Sequence, residues 1–197
     1  MKNIIVIGAG TMGNGIAHVF AQNGFETTLN DLNESQLQKA KATILNNLDR
    51  LLSKEKISEE LRLKTLGRLQ FATQANRAIK QADLIIEAAT ENFEIKKKIF
   101  NDVMPIAPSH CVFATNTSSI SIDRLAREIP NPERLIGMHF FNPVPVMQLI
   151  EIIKGEKTTS EVTKKTEELT LKLNKTGVVV NDAPGFISNR ILMPMVN

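Results

Sequence analysis

Three histidines occur in the 197-residue chain, and one sits where acid–base chemistry can be built. His139 closes an apolar run read as a strand at 134–140, within Gly137-Met138-His139-Phe140-Phe141-Asn142-Pro143-Val144-Pro145. Glu151 follows twelve residues later, on a run near 147–153 that reads as a return strand. A carboxylate facing an imidazole fixes its tautomer and favours its charged form. Such a pair can take a proton from an alcohol near neutral pH. The competing reading is a structural histidine satisfied in the core. Asn116-Thr117-Ser118-Ser119 follows a run at 111–115 and would fall on the same sheet edge. His18, inside a helical pattern, and His110, in a loop after Pro108, read as structural or solvated. Cys111 reads as a buried strand thiol. No spacing of His, Asp and Glu suggests a metal site.

A second motif belongs to binding rather than to proton transfer. Gly8-Ala9-Gly10-Thr11-Met12-Gly13 is G-x-G-x-x-G, directly after an apolar strand and opening a helical pattern. Gly8 allows the tight turn, Gly10 lets a pyrophosphate approach the backbone, and Gly13 lets helix and strand pack closely. The helix N-terminus, with Thr11 and Met12, supplies amide donors to the anion. The next strand ends at Asp31, 18 residues past Gly13. A carboxylate there accepts from ribose hydroxyls and repels a 2′-phosphate, and no Arg follows it, which favours NAD over NADP. The alternative is a glycine-rich loop used only as a turn.

The elements that must position these residues alternate along the chain. Strands read at about 3–7, 26–30, 69–72, 83–87, 111–115, 134–140, 147–153 and 177–181. Helical patterns read at about 11–23, 34–54, 58–67, 92–103, 121–128, 159–174 and 184–197. This is α/β alternation, predicting a mostly parallel, Rossmann-like sheet with helices on both faces. Two features break it. Residues 34–68 read as a helical hairpin with its break at Ser58. Residues 134–153 read as two strands with no helix between, which would make the sheet mixed. Asp182-Ala183-Pro184-Gly185 reads as a helix start, a capping side chain followed by Pro in the first turn. The apolar helix that follows has nothing left in the chain to pack against, so a partner chain or further sequence is expected.

Composition is that of an ordinary globular chain, 42% hydrophobic and 23% charged. There is no apolar tract of membrane-spanning length. A single cysteine excludes an internal disulfide framework and fits a cytoplasmic setting. A net charge of +3 is too small to imply nucleic acid, and Trp and Tyr are absent.

Together, Gly8–Gly13, Asn116–Ser119, His139–Pro145 and Asp182-Ala183-Pro184-Gly185-Phe186-Ile187-Ser188-Asn189-Arg190 resemble the L-3-hydroxyacyl-CoA dehydrogenases. The likeness is strongest to the bacterial branch acting on 3-hydroxybutyryl-CoA, and it runs from residue 1 to 197. The resemblance implies an NAD-binding domain over 1–183, and over 184–197 the start of an all-helical domain that forms a homodimer. It implies His139 as catalytic base, Glu151 as its partner, and Ser118 and Asn189 on the substrate. Asp31 matches the ribose-binding acid, and Glu91, Lys96, Ser118 and Asn142 match positions near the nicotinamide half. Arg50 and Lys54 match basic residues that meet the CoA phosphates. Segment 34–68 carries eight Lys/Arg against five Asp/Glu, and Arg50 and Lys54 share a helix face. The plain alternative there is a solvated helix. The implied reaction is oxidation of a 3-hydroxyacyl-CoA and its reverse, with an acyl-CoA such as acetoacetyl-CoA as partner and neither nucleic acid nor membrane. Two rivals are a related sugar-acid dehydrogenase without CoA, and a cofactor-binding piece inactive alone.

Overall fold

The computed structural model describes residues 1–196. Eight strands form one sheet: β1 (Asn3–Ile7), β2 (Glu26–Asn30), β3 (Leu69–Ala72), β4 (Leu84–Glu87), β5 (Val112–Thr115), β6 (Leu135–Phe140), β7 (Leu149–Lys154) and β8 (Thr176–Asn181). Their spatial order is β3-β2-β1-β4-β5-β6-β7-β8. The first six are parallel, β7 runs antiparallel to β6, and β8 runs parallel to β7. The helix-free link after β6 does make the sheet mixed.

Alternation along the strands divides their apolar residues between two cores. Ile4, Val6, Leu84, Ile86, Ile136, Met138 and Ile152 pack under α1 (Thr11–Gln22), α2 (Glu34–Ser53) and α7 (Ser160–Lys172). Ile5, Ile85, Phe113, Leu135, Ile153 and Val180 pack on the other face, with α4 (Asn76–Ile79), α5 (Phe93–Val103) and α6 (Ile122–Ala126). His139 and Glu151 share the parity of Leu135 and Ile153, so both belong to this second face. The hairpin of α2 and α3 (Glu59–Gly67) has its own small core of Ile44, Leu48 and Ile57. Ser58 caps α3 by accepting from the Leu61 N–H, so the break falls where expected. The one-turn α4 has no sequence period to betray it.

The last helix departs from expectation. Residues 184–187 form a turn, with φ of +75° at Gly185 and +52° at Phe186, and α8 begins only at Ser188 (Ser188–Val196). Phe186 is turned inward and is 1% exposed. Asp182 is already engaged elsewhere. Its Oδ2 accepts from Ser121 Oγ at 2.6 Å and from the Asp123 N–H at 2.8 Å, at the start of α6. Ile187, Ile191 and Met195 are 47%, 57% and 75% exposed, so an apolar side faces outward. Residue 197, in the expected helix, lies outside the described residues. No described helix is long and apolar enough to cross a membrane.

Candidate active site

The chain runs outward from β1 to β3 and then returns to β4 on the other side of β1. The crevice at the carboxyl end of β1 is therefore a topological switch point, where open α/β sheets bind ligands. The glycine loop fills it. Gly8 has φ +103°, and a Cβ there would lie 2.7 Å from the Ala88 carbonyl oxygen. At Gly13 a Cβ would lie 1.7 Å from the Gly8 oxygen, so helix and turn touch through backbone. At Gly10 a Cβ would meet nothing within 4 Å. Gly10 also begins α1 without a capping side chain, so no cap competes for the amides near exposed Thr11 and partly buried Met12. Asp31 lies against this loop, its Oδ2 accepting from the Ala9 N–H at 2.8 Å and its Oδ1 from the Asn33 N–H at 2.9 Å. Open backbone, an uncapped helix start and an adjacent acid fit a dinucleotide.

The antiparallel register pairs His139 directly with Glu151. His139 Nδ1 lies 2.8 Å from Glu151 Oε2, with the residues 7% and 2% exposed. A carboxylate only accepts, so Nδ1 carries the proton and Nε2 is left as the acceptor. Phe141 and Phe186 flank the imidazole, with centroids 4.6 and 6.0 Å away. Glu151 has a second task. Its Oε1 accepts from the Ile187 N–H at 3.1 Å and the Ser188 N–H at 2.8 Å, so it caps α8 in place of Asp182. Burial alone would raise the Glu151 pKa, but hydrogen bonds from His139 and from Ser188 hold it below the usual range. Asn189, brought in by α8, donates from Nδ2 to the Ser118 carbonyl at 3.1 Å. Asn116 Oδ1 accepts from the Phe140 N–H at 2.9 Å, bracing the Asn116–Ser119 loop against the end of β6. Exposed Asn142 begins the loop beyond, through a cis peptide to Pro143.

Glu91 organises the other side of this edge. It accepts from Thr117 Oγ1 at 2.5 Å, the Ser118 N–H at 3.0 Å, the Ser119 N–H at 3.1 Å and Ser119 Oγ at 2.9 Å. Burial raises its pKa, but these donors and the Lys96 charge draw it down to about 2. Lys96, expected beside the cofactor, is 1% exposed. Its ammonium lies 2.9 Å from both Glu87 oxygens and 3.3 Å from Glu91 Oε2, so it reaches the crevice only through Glu91. Glu87, wholly buried and also accepting from Thr115 Oγ1 at 2.6 Å, escaped the sequence reading. Its signal was a carboxylate ending the apolar run Leu84-Ile85-Ile86, nine residues before Lys96.

Arg50 and Lys54 are exposed near the end of α2 and line a groove of about 300 Å³. Lys56, a third cation that spacing did not single out, shares it with Gln22, Pro145 and Val146. The groove thus joins the basic hairpin to the loop that follows His139. Cys111 is buried, and burial pushes its thiol pKa up to about 12, so it is no nucleophile.

Residues 3–183 match the NAD-binding domain of 3-hydroxyacyl-CoA dehydrogenases. The chain belongs to the 3-hydroxyacyl-CoA dehydrogenase family. Its full length is 45% identical to 67% of the 3-hydroxybutyryl-CoA dehydrogenase of Bradyrhizobium diazoefficiens. A probable 3-hydroxybutyryl-CoA dehydrogenase of Deinococcus radiodurans is 44% identical over 98% of this chain and 68% of that protein. Among solved structures, (S)-3-hydroxybutyryl-CoA dehydrogenase from Ralstonia eutropha superposes with a TM-score of 0.96 at 42% identity. That match covers all of this chain and 70% of the other. Membership makes the chain an NAD-dependent oxidoreductase of the 3-hydroxyacyl-CoA dehydrogenase family, with its glycine loop in the NAD-binding domain.

Proposed function

We propose that the protein oxidises L-3-hydroxyacyl-CoA esters such as 3-hydroxybutyryl-CoA, and reduces 3-ketoacyl-CoA esters such as acetoacetyl-CoA. The observation that carries this is the 2.8 Å contact between His139 Nδ1 and Glu151, which leaves Nε2 without a hydrogen-bond partner among the described residues, at the edge bearing the glycine loop. Bound NAD supplies the hydride acceptor. His139 Nε2 takes the hydroxyl proton, and in reverse protonated His139 donates to the carbonyl oxygen. Glu151 stabilises the imidazolium, and acid–base help of this kind contributes about 10²–10⁴-fold. Ser118 and Asn189 hydrogen-bond substrate oxygens, and Asn142 and Glu91 serve the nicotinamide side. Lys96 acts there through Glu91. Asp31 holds the adenosine ribose and disfavours a 2′-phosphate. Arg50 and Lys54, joined by Lys56, meet the CoA phosphates.

In the same reading residues 1–183 are the cofactor domain, and 184 onward opens a helical domain through which a homodimer forms. The outward apolar side of α8 supports that division. The test is NADH oxidation with acetoacetyl-CoA, with NADPH and free acetoacetate as controls. Turnover confined to NADH with the CoA ester is expected. Equal turnover of free acetoacetate would remove the CoA assignment and favour the CoA-free rival.

A further inference from the structure

One buried cation has no part in the chemistry above. Lys175 lies in the link between α7 and β8, is 7% exposed, and makes no ion pair among the described residues. Its ammonium donates instead to two backbone carbonyls of the loop after His139, Val144 O at 2.8 Å and Met147 O at 2.6 Å. The base of the side chain is itself fixed, because the Lys175 N–H donates to the Thr170 carbonyl at 3.0 Å, at the end of α7.

The clamped loop touches both halves of the site. Val144 is 2% exposed and packs on α1, where a Cβ at Gly15 would lie 2.9 Å from Val144 Cβ. Pro145 and Val146, between the two clamped carbonyls, line the groove of Arg50 and Lys54. Val146 is 67% exposed, so apolar burial does not hold it. Within the loop the Val146 and Met147 N–H groups both donate to the Pro143 carbonyl, at 2.9 and 3.0 Å. The turn thus closes on itself, and Lys175, together with the packing of Val144 on α1, ties it to the rest of the fold. A buried ammonium with only carbonyl partners is costly, and hydrogen bonds from charged donors are the strong ones.

We infer that Lys175 is a positioning residue for substrate, clamping Val144–Met147 so that Pro145 and Val146 form one wall of the acyl-CoA groove. The kinetic part rests on the function proposed above. The test uses Lys175→Met, and Lys175→Gln, which is one atom shorter and keeps a donor for one carbonyl, should the first fail to fold. Val162→Ala, in α7 away from the loop, serves as a destabilised control. Hydrogen exchange at Val146 and Met147 should quicken about tenfold in the Met variant, less in the Gln variant, and not in the control. KM for acetoacetyl-CoA should rise about tenfold, while the NADH dissociation constant moves less than about threefold and kcat holds within about threefold. Unchanged exchange at the two amides overturns the clamp. An unchanged KM despite faster exchange overturns its role in binding. If the unmodified protein does not turn over the CoA ester yet its loop exchange depends on Lys175, the proposed reaction fails and the clamp stands.

Discussion

Replacing Glu151 by Gln tests the proposed dyad most severely, because the side chain keeps its shape and loses one of its two accepting oxygens and its charge. The carboxylate now accepts from one imidazole N–H at 2.8 Å and from two backbone N–H groups at 3.1 and 2.8 Å. Gln has one oxygen to offer. Turning that oxygen to His139 aims the NH₂ at two amide donors and leaves both unsatisfied, at about 1–3 kcal/mol each. Turning it to the amides keeps both bonds and presents NH₂ to Nδ1, which must then accept, so the proton moves to Nε2. The second arrangement is favoured by about 2–6 kcal/mol, leaving at most a few per cent of molecules with a basic Nε2. Loss of the charge that stabilises the imidazolium adds to this. Turnover should fall about 10²–10⁴-fold while NADH affinity stays within about threefold. The assay follows NADH absorbance with acetoacetyl-CoA, beside fluorescence titration of NADH. Turnover within about fivefold of the unmodified protein would refute the tautomer argument.

Other perturbations separate the remaining roles. Gly10→Ala places a methyl in open space, so thermal stability should hold while NADH affinity falls. Gly13→Ala drives a Cβ to 1.7 Å from the Gly8 oxygen and should lower the melting temperature markedly, with the usual overpacking cost of about 1–3 kcal/mol or more. Equal behaviour of the two variants would contradict the division of labour in the loop. Arg50→Ala with Lys54→Ala should raise KM for acetoacetyl-CoA about tenfold or more and leave NADH binding alone; unchanged KM would return these residues to a solvated helix face. Glu91, held at about 2 against an ordinary 4.5, contributes stability that is full above pH 4.5 and lost as pH falls toward 2. Urea unfolding across that range should show a shallower slope for Glu91→Gln, and identical slopes would deny the Glu91 network.

Much of this site was legible because its signals are local or ride on strand parity. The glycine loop depends on neighbours within six residues, and Asp31 on the length of one helix and one strand. The His139–Glu151 pair followed once 134–153 read as two strands without a helix between them, since antiparallel pairing then sets them opposite. What the sequence hid is made by long-range partners. Asp182 reads as a helix cap, but Ser121 and the Asp123 amide claim it from 61 and 59 residues away. That capture, with the inward turn of Phe186, delays α8 and hands its first amides to Glu151. The resemblance sets Lys96 near the nicotinamide half, and the sequence hid that its ammonium is buried against Glu87 at the end of β4. Lys175 sits in an unremarkable loop, and its role is visible only once Val144 and Met147 lie above it.

The central claim, that His139 moves the proton, is tested most directly by His139→Ala. The account predicts turnover of acetoacetyl-CoA reduced by about 10²–10⁴-fold with NADH bound as tightly as before. Near-normal turnover in that variant would contradict it and return His139 to a structural role beside Glu151.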